Sequence, residues 1–299
     1  MKKIGLFWKI LLVVLLCFSG IFILIMSLNN WDFNKVINNS YIETEEVIDG
    51  EFDNININLD ALDLTFVKSN NEENKVNLIA HEKVKSEINV ESNTLYINVK
   101  DEREWFDRIG IFNEMEMIIY LNESTYDELI IIGSTGDIEI PNDFSFLNSN
   151  IELTTGDIDF SSNVNNLNIE LTTGDVDISS LSCLEDINIT LTTGELELDN
   201  VTCRNFISKG STGKIELNNL IASGKISIEM TTGDIEFNRC DASEIFVKTT
   251  TGDVKGSLMS NKLFITHTTT GNVKVPSGSE GGKCEIYCTT GNINIWIEN

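Results

Sequence analysis

Carboxylates recur at fixed places in this sequence. Asp137, Asp157 and Asp175 continue through Glu195, Lys214, Asp234, Asp253, Asn272 and Asn292; two residues further on, Glu139, Asp159 and Asp177 continue through Glu197, Glu216, Glu236, Lys255, Lys274 and Asn294. Stacked carboxylates about 5 Å apart repel by about 1 kcal/mol per pair even in bulk-water dielectric. A hard cation would relieve that, since carboxylate oxygens suit Ca²⁺ or Mg²⁺. Asp137, Asp157, Asp175, Glu139, Asp159 and Asp177 are therefore the candidates for a cation ladder, with Ca²⁺ the first cation to test. The plainer reading, a solvated acidic face with diffuse counterions, is preferred, because the glycine-rich nonapeptide of calcium-binding β-rolls is absent.

Other residue types offer less chemistry. A Thr precedes a Gly in every copy of the pattern, as in Thr155-Gly156, Thr173-Gly174, Thr193-Gly194 and Thr232-Gly233. These read as structural corners, with the Thr turned inward by strand parity. A flat ice-binding array needs two outward Thr columns, and the parity count leaves only the one that holds Thr154, Thr172 and Thr192. Cys183 and Cys203 each follow a repeat glycine by nine residues, so they stack at a spacing a disulfide can bridge; buried packing of free thiols competes with that bridge. Cys284 and Cys288, four apart on one strand face, are too far apart to bridge each other. The two histidines, His81 and His267, lie apart, and no nucleophile elbow, zinc-binding helix, phosphate loop or C-x-x-C motif occurs. The carboxylates recur evenly, with no singular loop of converging Arg, Lys or His. The residues thus point away from an enzyme, polysaccharide lyases and hydrolases included.

The elements that must position these residues follow from the repeat. S/T-T-G corners place glycines at 136, 156, 174, 194, 213, 233, 252, 271 and 291, at intervals of 18 to 20 residues. Around each, apolar and polar residues alternate with period two, the strand signature. Ile151 and Leu153 share one face and Glu152 and Thr154 the other, with Ile158 and Phe160 facing in beyond the corner. A third apolar anchor follows each corner, as in Leu181, Val201, Leu220, Cys240 and Met259. A single coil of this kind cannot bury its apolar face, but stacked coils share one core. The fold class expected is all-β, a parallel β-solenoid of about nine coils over 126-299. Residues 51-125 keep strand alternation without the corner signature and are expected as an N-terminal cap of degenerate or antiparallel coils, with Asp101–Phe106 plugging the end. Trp296 is expected to close the other end.

The first 30 residues carry a different pattern. Lys2, Lys3 and Lys9 precede an apolar run from Ile10 to Leu28, about long enough to cross most of a 30 Å hydrocarbon core. The sequence therefore predicts one transmembrane anchor over 1-30 that makes the membrane a partner. Flanking charge puts the N-terminus in the cytoplasm and the C-terminal part outside. Trp31 and Phe33 would mark the outer interface, and 31-50 a polar stalk.

Net charge narrows the partners. With 47 acidic and 21 basic residues the chain carries -26, which excludes nucleic-acid binding by phosphate neutralisation. The 41% apolar content suffices for a folded core. Residues 121-200 hold 17 acidic residues and no Lys or Arg, whereas 201-299 hold 10 of each. The late coils are thus the expected contact surface.

The T-T-G-D-[I/V] corners, Thr154 to Ile158, Thr172 to Val176, Thr231 to Ile235 and Thr250 to Val254, give the chain a family resemblance. Over roughly 45-299 it resembles the bacterial "putative adhesin" domain family, to which LiaG-like proteins of cell-envelope stress operons belong. The resemblance implies a surface-exposed β-solenoid on a membrane anchor and supplies no catalytic or ligand residues. The function expected is a non-enzymatic binding or scaffold module of the cell envelope, with an envelope protein or a glycan as partner, and the alternative is a surface adhesin that binds glycan or cations.

Overall fold

The computed structural model describes residues 2–28, 31, 41–71, 73–104, 115–278 and 280–298. From Tyr41 onward the strands join into one sheet that winds as a parallel β-solenoid. Equivalent residues stack in register: Ile151 pairs with Ile169 and Ile169 with Ile189 on one side, Ile158 with Val176 and Val176 with Leu196 beyond the corner. Each inward row therefore becomes a continuous buried column. The period-two pattern dictates this, because only alternate residues of a pleated strand reach the interior.

A third row shows how the core is shaped. Phe52 and Tyr126 stack at 5.9 Å, and Tyr126 and Phe146 at 6.0 Å. The row then shrinks through Val164 and Cys183 to Cys203, Ala222 and Ala242. The interior on this side is wide at the early coils and narrow at the late ones.

Coil order along the rod departs from chain order at both ends. Strand Asn54–Ala61 lies between Thr94–Asp101 and Thr125–Thr135, parallel to both, and Asp63–Lys68 lies between Glu116–Leu121 and Ile138–Ile140. The first coil of the chain is thus the second in space. The mirror arrangement closes the other end. Gly282–Thr290 is inserted between Ile235–Thr251 and Lys262–Thr270, and Ile293–Ile297 between Val254–Leu258 and Val273–Lys274. The last coil in sequence lies inside the rod, and the coil before it forms the end.

Several expectations change accordingly. Residues 51–125 contribute two full parallel coils, and the antiparallel strands Lys75–His81, Val84–Glu91 and Tyr41–Val47 complete that end. The second half of the expected stalk is therefore strand. Of the expected plug, residues 101–104 are described, with Arg103 paired to Asp101 at 2.9 Å, and 105–106 lie outside the described residues. Trp296 sits half-exposed on the side of an interior coil and closes nothing. Leu258 replaces Met259 as the buried anchor because the register slips after Phe237. Val273, at the same inward position two after a repeat glycine as Ile158, is nevertheless 43% exposed because its coil is the terminal one.

The N-terminal helix, Lys2–Leu28, does not sustain the predicted anchor. Among the described residues no helix is long and apolar enough to cross a membrane. The single-pass localisation and its cytoplasmic N-terminus are corrected on this finding. Trp31 is exposed, and Phe33 lies outside the described residues.

Candidate functional site

The corner is where the repeated polar residues converge. All nine repeat glycines have positive φ, between 134° and 151°. A Cβ on Gly174 would sit 1.9 Å from the Gly156 carbonyl oxygen, so both the backbone angle and the close approach of successive coils require glycine. The corner threonines do not turn inward. Thr154 and Thr155, and likewise Thr172 with Thr173 and Thr192 with Thr193, are both exposed. The pleat is lost at the residue before the glycine, one position earlier than parity counting assumes. Thr232, before Gly233, is exposed in the same way.

Each aspartate that follows a repeat glycine accepts a backbone amide from the next coil. The Asp157 amide donates to Asp137 Oδ1 at 2.8 Å, the Asp175 amide to Asp157 Oδ1 at 2.8 Å and the Glu195 amide to Asp175 Oδ1 at 2.7 Å. Asp63 starts the row by accepting from the Asp137 amide. The ladder resumes as the Asp253 amide donates to Asp234, Asn292 to Asp253 and Asn272 to Asn292, following the spatial order of the last coils. Asn serves as well as Asp, so the side-chain oxygen, and not the charge, performs this task.

The second column stacks as Glu139, Asp159, Asp177 and Glu197. Burial, then Glu139 and the neighbouring Asp157 and Asp137, raise the Asp159 carboxyl above its ordinary value. Burial also raises Asp177, followed by repulsion from Asp159 and Glu197. Among the described residues no group of three or more His, Cys, Asp or Glu is placed to hold a metal ion.

Beside the corners runs an outward groove of about 290 Å³, lined by Glu152, Glu170 and Thr190 in one row and Thr154, Thr172 and Thr192 in the next. Over three successive coils it presents a hydroxyl at each and a carboxylate at two, and Ile132 and Gly133 line the coil before them. A second recess of about 470 Å³ lies near the end of the rod beside Lys262. That lysine is only 3% exposed. It donates to Asp241 Oδ1 at 2.5 Å and to Ser260 Oγ at 2.6 Å. Gly281 and Gly282, which lie beside it, are held to glycine by the close approach of neighbouring coils, since a Cβ on either would lie 1.9 Å from a backbone carbonyl oxygen.

Cys183 and Cys203 stack in the narrowing inner row as free buried thiols. Cys183 Sγ donates to the Asn165 carbonyl at 3.1 Å. Burial pushes Cys183 up to about 11 and Cys203 to about 12, which leaves little thiolate for chemistry. Cys284 and Cys288 are also free and buried. His81 is buried, its Nδ1 accepting from the Lys83 amide at 3.1 Å, whereas His267 is exposed opposite Tyr287.

Sequence reasoning missed a second corner. Ser180, Asn200, Asn219 and Arg239, each six residues after a repeat glycine, have φ between 52° and 56°. Asn219 Nδ2 donates to Asn200 Oδ1 at 3.0 Å. The signal was available, since Asn tolerates the left-handed region better than other non-glycine residues.

No curated protein matches the sequence. Solved structures do. A "putative lipid binding protein" from Parabacteroides distasonis is 14% identical, with a TM-score of 0.54 over 87% of this chain and 98% of its own. A "putative adhesin" from the same organism is 8% identical, with a TM-score of 0.50 over 86% of this chain and 98% of its own. At these identities the likeness extends to the fold alone. The family model described as Toastrack DUF4097 matches residues 52–296, from the first coil to the inserted last one, and the chain belongs to that family.

Proposed function

We propose that this chain is a non-enzymatic binding or scaffold module of the bacterial cell envelope, and that its partner is an extended glycan laid along the groove of Glu152, Thr154, Glu170, Thr172, Thr190 and Thr192. The observation that carries this reading is the repetition of that lining from coil to coil. A rigid row of hydroxyls and carboxylates at constant spacing suits a partner that is itself a repeating polymer of hydroxyls. It does not suit a single small substrate, which needs a concave pocket with convergent groups. Structural relatives described as an adhesin and a lipid-binding protein support a binding role in general. A place in the envelope-stress response belongs to the same proposal and rests on the resemblance to LiaG-like proteins. The Ca²⁺ ladder adds nothing to it, because the first carboxylate column is already engaged with backbone amides.

Co-sedimentation of the full chain with purified cell-wall polysaccharide tests this. Retention by the polysaccharide, lost in a T154K/T172K/T192K variant that melts like the wild type, is the expected result. Equal retention of the two proteins, or none of either, would overturn the glycan assignment.

A further inference from the structure

The two ends of the rod are finished differently. At the early end the outermost strands are antiparallel and charged: Tyr41–Val47 carries Glu43, Glu45 and Glu46, and Val84–Glu91 carries Lys85, Glu87 and Glu91. Charges and short antiparallel strands protect a sheet edge from joining another. The late end has less of this protection: its edge strands are parallel, and Lys274 is the one exposed lysine on them. Lys262–Thr270 pairs only with Gly282–Thr290, and Val273–Lys274 only with Ile293–Ile297, so among the described residues nothing pairs with their outer edges.

Apart from Lys262 and the exposed Lys274, the side chains of that terminal coil are apolar or uncharged. Leu263 is 45% exposed, Ile265 40% and Val273 43%, and Phe264 is only partly buried. The chain leaving this coil folds back over its first residue, where a Cβ on Gly278 would lie 3.1 Å from the Lys262 carbonyl oxygen. Of the coil's cations, Lys262 is neutralised by Asp241.

From this edge we infer that the late end is the dimerisation surface of the chain, occupied by the same coil of a second copy. Charge selects that partner. The segment 201–299 nets zero, whereas 121–200 holds 17 acidic residues and no basic one. Five coil steps, about 24 Å at 4.8 Å each, separate the terminal corner Gly271 from Gly194 at the border of the acidic segment. Two copies joined at their late ends thus keep their acidic halves several Debye lengths apart, a length of about 8 Å at physiological salt. Joining at the early ends would bring Glu43, Glu45 and Glu46 of each copy together. A two-fold contact runs Lys262–Thr270 antiparallel to itself, covers Phe264 and Leu263 in both copies, and closes without propagating into a fibre.

Sedimentation equilibrium of the full chain, with hydrogen exchange on the same samples, tests the inference. The expected mass is twice 33.5 kDa, with slow exchange at the 262–270 amides. An L263K/I265K variant is expected at half that mass with fast exchange at those amides and an unchanged circular dichroism spectrum. Should that variant misfold, V273K on the neighbouring edge gives the same reading. A monomeric wild type overturns the inference, as does a mass that neither variant lowers, which would place association elsewhere, the N-terminal helix included. Protection of 262–270 that appears in a monomer only on adding wall polysaccharide also overturns it. Because the groove variant and the edge variants lie on different coils, loss of glycan retention and loss of dimerisation are read independently.

Discussion

Every corner carries two demands that only a few residue types meet. Glycine is required because the carbonyl of the adjacent coil occupies the place of a Cβ, and at most corners the following Asp or Asn offers an oxygen that accepts the next coil's amide, a row interrupted at Glu195 and Lys214. The sequence pattern alone suggests cation ligands in that column; the geometry assigns hydrogen bonds, which an amide side chain also satisfies. Asp175→Asn is therefore expected to leave stability unchanged or raise it by relieving repulsion with Asp157 and Asp177. Asp175→Ala is expected to cost about 1–2 kcal/mol, because the Glu195 amide loses its acceptor. Urea denaturation of the two variants checks this. Equal losses in both would mean that the charge, and with it a bound cation, holds the corner.

Coils and columns were legible in the sequence wherever a rule is local. Alternation gave the buried rows Ile138 to Val254 and the glycines gave the corners, because both depend on a few neighbouring residues. Parity misplaces the corner threonines because the alternation ends before the residue preceding each glycine. The exchanged order of end coils was not legible, since Val273 and Ile293 stand in identical local patterns and nothing in either says which lies outside. Columns have an energetic consequence as well as a structural one. Asp159 and Asp177 hold their protons more tightly in the folded chain than in the unfolded one. Folding at those sites therefore takes up protons, so their contribution favours the native state as pH falls into the carboxylate range and is lost as pH rises through the raised values. Asp186 opposes this, since its hydrogen bond from Arg204 lowers its value and that contribution is lost at low pH. A D159N/D177N variant should melt higher than the wild type at pH 7, and the difference should shrink as pH is lowered. A constant difference across the titration would remove the column as its cause.

In a solenoid, stability is close to a sum of coil terms and nearest-neighbour interfaces. An end coil holds one such interface and an interior coil two. In chain order the C-terminal segment would be an end coil, and deleting it would shorten the rod at the cost of one interface. Its actual position is interior, between the coil of Ile245 and Val254 and the coil of Phe264 and Val273. Deletion of 282–299 therefore removes both interfaces and leaves Lys262–Thr270 without the strand it pairs with. Even the Lys262–Asp241 ion pair, which reaches across the inserted glycines, would then span an empty layer. Amides of 262–274 are expected to exchange as in an unfolded chain in the truncated protein, while those of 145–218 keep full protection. Protection retained at 262–270 would show that the preceding coil can close down onto Ile235–Thr251 by itself, and that the insertion contributes order without being needed for it.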